Sequence, residues 1–310
     1  MSINFKIYRI FVLKYYFTTL LIIKYTVRFY YFLNVFSKSY YSLFNINKMI
    51  NNSIFKKHPL ILVTNDDGIY AKGINELVNM IQDLGDICVV APDSPRSGQS
   101  SAITSELPLR IKCISNQNEY KAFKSNGTPV DCIKLSINQN LNNRPDLIVS
   151  WINHGSNAGT SIIYSGTMGA VLEGCLIGIP SIGFSLCSHD PEADFSPCRE
   201  IVRKTCKLIL EKGLPQNVCL NVNIPTGSPI KGTRICKQAK GYWTEEYEHR
   251  KDTHGQDYYW LTGHFVNLEP ENRETDEWAL ANGYISIVPC TSDQTAYSAI
   301  PDITHLIGKE

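Results

Sequence analysis

The strongest constraint on the fold lies between Pro59 and Pro92. An almost wholly apolar run, Leu60–Thr64 (LILVT), ends in Asn65-Asp66-Asp67-Gly68, a helical period follows, and a second apolar run, Ile87–Ala91 (ICVVA), stops at Pro92. A short run that is apolar at successive positions has no face left for water, so each reads as a strand buried on both sides. Between them Ile74, Leu77, Val78 and Ile81 fall at i, i+3, i+4 and i+7, one stripe of a helix that Gly85 is expected to close. Strand, helix and strand in so short a span make a βαβ unit, with parallel strands and a right-handed crossover.

The same alternation continues. Leu109–Ile114 and Tyr120–Phe123 read as short strands, and Leu147–Trp151 (LIVSW), Ser181–Phe184 and Val218–Ile224 as buried ones. Thr128-Pro129-Val130-Asp131 opens a helix, with Thr128 as N-cap, Pro129 in the first position and Asp131 in the first turn. Ser165–Gly178 is a helix apolar all round (Met168, Val171, Leu172, Cys175, Leu176) and hence buried, and Ser196-Pro197 starts another that runs to Lys212. The sum is an α/β fold, a Rossmann-like doubly wound sheet. After Pro225 the character changes. Residues 231–284 set Trp243, Tyr247, Tyr258, Tyr259, Trp260 and Phe265 among many charges, which reads as an extended arm or hairpin plus loops. A strand at Tyr284–Val288 and a short terminal helix complete a body spanning residues 59–310.

Residues 1–58 stand apart as an N-terminal extension. Its first 48 residues carry seven positive side chains and neither an acidic residue nor Gly, Pro or Ala. Lys24 and Arg28 interrupt the apolar stretch there, and no uncharged run exceeds nine residues, where a membrane-spanning helix needs about 20. Two readings stay open, an interfacial basic anchor and upstream sequence translated ahead of a true start at Met49, and the second is favoured. The whole chain has a net charge of +1, so removing those seven charges leaves −6 for residues 49–310. A mildly acidic body does not point to nucleic acid as a partner, and nothing in it points to a membrane. A small phosphorylated substrate would need a local positive element instead. The ten cysteines are scattered with no C-x-x-C pair, so no spacing supports a zinc or disulfide framework, and the pattern suits reduced, buried thiols in a cytoplasmic protein.

In an open α/β sheet, ligands bind beyond the carboxyl ends of the strands. The first strand delivers Asp66 and Asp67 there, the second is followed by Pro92-Asp93-Ser94-Pro95-Arg96-Ser97-Gly98, and the third delivers Asn153-His154-Gly155. Adjacent carboxylates resist joint ionisation unless a counter-charge joins them. A hard divalent cation, Mg²⁺ or Mn²⁺, supplies that charge and prefers oxygen ligands. Ser165-Gly166-Thr167 sets hydroxyls and backbone donors at a helix start, the expected seat of a phosphate. Asn126-Gly127-Thr128 serves as turn and cap, as substrate rim, or as both. His154 reads as a neighbour of the site rather than a catalyst.

Six ordered blocks, ILVTNDDGI (61–69), APDSPRSGQS (91–100), SNGTPVDC (125–132), WINHGSNAG (151–159), IYSGTMGAVLEG (163–174) and TDEWALANGYISIVP (275–289), resemble the stationary-phase survival protein SurE family of nucleotidases. The likeness covers about residues 59–305. It implies hydrolysis of nucleoside 5′- and 3′-monophosphates, with short polyphosphate as a side substrate, and one divalent metal cation per subunit. Carried over by position, it implies Asp66, Asp67, Ser97 and Asn153 as metal ligands, with the two aspartates catalytic. Where the family usually has Gly-Ile before that asparagine, this chain has Trp151-Ile152, a bulkier packing under the site. The resemblance also implies a homodimer or homotetramer that exchanges a C-terminal arm.

Two rival classes fit poorly. Haloacid-dehalogenase-like phosphatases need D-x-D after the first strand, where this chain has Asn65-Asp66-Asp67. A non-catalytic receiver needs an aspartate where the third strand here ends in Trp151-Ile152-Asn153. A nucleotide-binding module that has lost catalysis is at odds with intact Asp66, Asp67, Ser97 and Asn153. The break in composition near Met49 carries its own expectation: a chain begun at Met49 should fold and keep full specific activity. Precipitation or loss of activity on that truncation would make the extension part of the fold, and recovery of the full-length chain with membranes would make it an anchor.

Overall fold

Ile61, Leu62 and Val63 are fully buried in β1 (Leu60–Thr64), so both faces of this strand are covered. The computed structural model describes residues 58–308 except Pro191 and Ser228, and of Ile152, Asn153 and His154 the backbone alone. Residues 1–57, nearly all of the expected extension, lie outside the described residues. β1 pairs in parallel with β2 (Asp86–Pro92) on one side and with β5 (Leu147–His154) on the other. Beyond β2 lies β4 (Tyr120–Ser125), parallel to it, and then the antiparallel edge strand β3 (Ile111–Asn116). Beyond β5 come β6 (Ser181–Leu186) and β7 (Cys219–Ile224), both parallel. β13 (Ile285–Cys290) follows antiparallel to β7, with β8 (Thr233–Ile235) at the far edge. The chain therefore builds outward from β1 in one direction, crosses back and builds outward in the other. Such a reversal opens a crevice at the carboxyl ends of the two central strands, here β1 and β5.

Helices cover both faces. α1 (Lys72–Ile81) and α4 (Arg199–Lys212) bury Ile74, Leu77, Ile81, Val202 and Cys206 against Ile61, Val63 and Val149. On the other face α2 (Pro129–Leu135) and α3 (Gly166–Leu176) pack Cys132, Ile133 and Ala170 against Leu62, Val90 and Ile148. At α2 the Thr128 hydroxyl accepts the Asp131 N–H at 3.1 Å, while the Asp131 carboxylate accepts the Thr128 N–H at 2.9 Å. This reciprocal box satisfies two N–H groups that the first turn would otherwise leave bare.

Several local readings differ from the sequence expectation. α1 ends at Ile81 with Gln82 as its cap. Gly85 instead lets two backbones cross, since a Cβ there would stand 2.2 Å from the Pro59 carbonyl oxygen. Pro92 does not stop β2 but forms its last residue, pairing with Ser125 and accepting the Ile69 N–H at 2.8 Å. Helix α3 buries Met168, Val171 and Cys175, yet Leu176 at its end is 65% exposed. Trp151 is fully buried, edge-on to Phe184 with ring centroids 4.9 Å apart, so its bulk is taken up in the core. All ten cysteines are free, and seven of them are buried. Burial pushes the Cys88 and Cys206 thiols up to about 12, which leaves them inert.

The arm is a pair of stacked antiparallel ribbons. β9 (Gly241–Thr244) pairs with β12 (His264–Asn267) at its root, and β10 (Tyr247–Lys251) pairs with β11 (Asp257–Leu261) at its tip. Trp243 and Phe265 are half-buried at the root, their rings 6.3 Å apart, whereas every residue of β10 and β11 is exposed. Two further helices follow, α5 (Asp276–Ala281) against β13 and α6 (Ile300–Ile307), which buries none of its residues.

Candidate functional site

The turn after β1 is closed from within. Asn65 Nδ2 donates to the Gly68 carbonyl at 2.9 Å, and Gly68 adopts a φ of +96°, a conformation natural to glycine. Asp66 is buried in this turn and Asp67 is half-buried. The neighbouring loops are laced to it through the main chain. Arg96 N–H donates to the Asp66 carbonyl at 2.7 Å, Asp93 N–H to the Ser125 carbonyl at 2.7 Å, and the Arg96 guanidinium to the Asn126 carbonyl at 3.1 Å. Ser97 is thus held one residue from a direct link to Asp66, with its side chain exposed.

The start of α3 meets the same point. Thr167 Oγ1 donates to Asp66 Oδ1 at 2.8 Å, and the Thr167 backbone also bonds that carboxylate. Gly166 lies so close that a Cβ there would stand 3.0 Å from Asp66 Cβ. The helix start read from sequence as a phosphate seat therefore receives the protein's own carboxylate. Ser165 is the N-cap, its hydroxyl accepting the Met168 N–H at 3.1 Å. Burial pushes the Asp66 carboxyl up to about 6, the Asp67 charge adds to the rise, and the Thr167 hydrogen bonds oppose it. Burial also lifts Asp67 to about 6. No Lys, Arg or His pairs with either carboxylate among the described residues.

Asn153 stands one residue before the end of β5, beside an irregularity. Ser150 pairs with Gly183 but Asn153 with Ser185, so three steps along β5 match two along β6. Bulges of this kind commonly re-aim a strand end next to a site. The side chains of Asn153 and His154 lie outside the described residues. On the rim, Asn126 is spent on the main chain, accepting the Arg110 N–H at 2.7 Å and donating to the Pro108 carbonyl at 3.2 Å. Gly127 is pressed against Asp131, where a Cβ would come within 2.6 Å, and Thr128 Oγ1 donates to the Ala102 carbonyl at 2.7 Å. Asn126, Gly127 and Thr128 hold the rim in shape.

Among the described residues, no three His, Cys, Asp or Glu side chains gather. Two carboxylates with neutral oxygens around them suit a hard cation and not zinc. Sequence reading missed α5 and its first residue, Asp276, which bonds the Gly159 N–H of the segment between β5 and α3. The signal was there: Thr275 as cap, acids in the first turn, and Asn282-Gly283 after the last.

A doubly wound α/β sheet with paired acids at its switch point is the frame of a hydrolase acting at strand ends. The family described as "Survival protein SurE" matches residues 61–245, and the chain belongs to this family. It is 52% identical over 247 residues to the 5′-nucleotidase SurE of Bacteroides fragilis, covering 80% of this chain and 97% of that one. It is 40% identical over 256 residues to the protein of the same name in Porphyromonas gingivalis, covering 82% and 99%. The crystal structure of SurE protein from Aquifex aeolicus superposes with a TM-score of 0.69 at 34% identity, over 81% of this chain and all of that one.

The raised carboxyls carry a consequence for the chelator-treated protein. Native Asp66 keeps its proton to about pH 6, against 3.8 for the ordinary group. Between those values native Asp66 binds more protons than it does in the unfolded chain, so its contribution to stability is full below pH 3.8 and is lost as pH rises through 6. Urea midpoints should decline across that window, and Asp66→Asn should flatten the decline. Identical slopes for the two proteins would remove Asp66 from this titration.

Proposed function

We propose that this chain is a metal-dependent phosphomonoesterase that hydrolyses nucleoside 5′- and 3′-monophosphates at the Asp66–Asp67 turn. The observation that carries the reading is the adjacent pair of carboxylates at the β1–β5 switch point, one buried and one half-buried, without a cationic partner among the described residues. The family and the named activity of its relatives support the same chemistry. Asp66, Asp67, Ser97 and Asn153 would hold one Mg²⁺ or Mn²⁺. The fit rests on the donor chemistry, all oxygen, and on the buried Asn65 Oδ1 beside the pair, which has no hydrogen-bond partner among the described residues. When bound, the cation neutralises the carboxylates and draws charge from the phosphoryl oxygens.

The chain's own residues divide the remaining work. Thr167 pins Asp66, so this carboxylate is set before substrate arrives. Asp67 has no hydrogen-bond partner among the described residues and lacks the anchor that holds Asp66, which leaves it to meet the attacking water or the phosphate. With Ser165, Thr167, Asn126 and Thr128 already engaged, contact at the start of α3 falls to the Gly166 backbone, whose missing side chain lets the helix start approach Asp66 closely. Ten free thiols suit a reducing compartment, consistent with a cytoplasmic enzyme.

The exposed rings of the arm support a homodimer or homotetramer joined through it. Tyr247, Tyr259 and Trp260 at the tip are each more than half exposed, as are Leu306 and Ile307 of α6 at 79%. A two-stranded ribbon cannot bury such rings by itself, and aromatic anchors ringed by polar groups are what interfaces use.

Phosphate release from AMP should require Mg²⁺ or Mn²⁺ and vanish in EDTA. Asp67→Asn should lose at least about a hundredfold in rate, since a catalytic cation supplies several kcal/mol and each 1.4 kcal/mol is tenfold. Full turnover in chelator would overturn the metal, and no release from AMP with either metal would overturn the substrate. For the assembly, deleting residues 246–262 should give a monomer by light scattering, whereas a full-length chain already monomeric at micromolar concentration ends the idea.

A further inference from the structure

Asp276 is a buried carboxylate that the proposed reaction leaves unused. It is 1% exposed and accepts three backbone N–H groups, from Gly159 at 2.9 Å, Ala239 at 2.9 Å and Glu277 at 2.8 Å. No Lys, Arg or His pairs with it among the described residues, and burial raises its pKa while the three N–H bonds act against the rise. A buried charge without a counter-ion survives only where several donors converge on it. Here they come from separate stretches of chain: the segment between β5 and α3, the approach to the arm, and α5 itself.

Gly159 is met a second time, from the arm. Its φ is +53°, and a Cβ there would stand 2.8 Å from Cζ of Phe265. The same ring covers Gly241 at the arm's root, where a Cβ would stand 2.2 Å away. Two residues earlier, Asn157 N–H donates to Asn223 Oδ1 at 2.8 Å and its amide to Ser185 Oγ at 2.8 Å, while Asn221 donates to its carbonyl at 2.8 Å. The segment held in this way leaves β5 after His154 and ends at Ser165, the cap of the helix whose Thr167 grips Asp66.

We propose that Asp276 and Phe265 are positioning residues, which fix the β5–α3 segment at Gly159, keep Thr167 against Asp66, and so make turnover depend on how the arm is seated. The proposal rests on reading Asp66–Asp67 as the catalytic pair. An amide cannot replace the carboxylate without penalty, because both oxygens accept N–H groups and an Asn would turn its own NH₂ toward one of them.

The test uses the full chain and two readouts. Asp276→Asn and Phe265→Ala should speed amide hydrogen exchange in residues 157–167 by about tenfold or more, with β1 and β2 unchanged. Both should lower kcat for AMP by about tenfold or more while KM moves by less than about threefold. Gly159→Ala, which pushes on the same ring from the other side, should act alike. Ala279→Gly is the control, since it loosens α5 at a fully buried position but leaves the carboxylate in place, and it should keep its kcat. Unchanged exchange in 157–167 overturns the proposal. So does faster exchange with an unchanged kcat, and so does an equal loss of kcat in Ala279→Gly, which would make Asp276 merely structural. If the wild-type chain releases no phosphate from AMP, the functional reading falls instead, and the exchange rates alone decide whether the clamp exists.

Discussion

The hydrogen bond from Thr167 to Asp66, 2.8 Å long, joins two points separated by 101 residues of chain. One end sits where β1 leaves the sheet, the other in the first turn of α3. A carboxylate this deep is held up against its own desolvation by donors, and the donors exist because a helix begins there. Moving α3 would strip Asp66 of them and leave an uncompensated charge in the crevice. The position of the helix, the ionisation of the acid and the shape of the site are therefore one condition rather than three.

That condition reaches outward in both directions. Toward β2 and β4, main-chain bonds tie the Asp66 turn to the Arg96 loop and that loop to Ser125, and the Arg96 guanidinium reaches the Asn126 carbonyl. Toward β6, β7 and the arm, Asn157 and Gly159 are tied to Asn221, Asn223 and Asp276. The crevice is thus braced from both sides of the switch point, by backbone links on one and by buried polar side chains on the other.

The central sheet was legible because strands buried on both faces must be apolar at successive positions, and Leu60–Thr64, Ile87–Ala91 and Leu147–Trp151 leave little choice. The pair Asp66–Asp67 was legible for a related reason, since acids at the end of such a strand are out of place without a task. What sequence could not convey was contact across distance. Gly85 looks like a helix stop until Pro59 is found against it, and Thr167 looks like a free donor until Asp66 takes it. The irregular pairing of β5 with β6 is invisible because Trp151 and Ile152 read as ordinary strand residues. Helix α5 carried proper start and stop signals, but it lay inside a stretch whose aromatic and charged composition drew the reading toward an arm.

The lacing of the strand-end loops has an evolutionary side. Bonds such as Ile69 N–H to Pro92 O and Arg96 N–H to Asp66 O use peptide groups, which every residue but proline supplies in full. Loops held this way keep their course while most of their side chains are exchanged, provided the few glycines and acids that shape the turns remain. A lineage can then alter the lip of the crevice one substitution at a time, testing new substrates, without the frame beneath having to be reinvented.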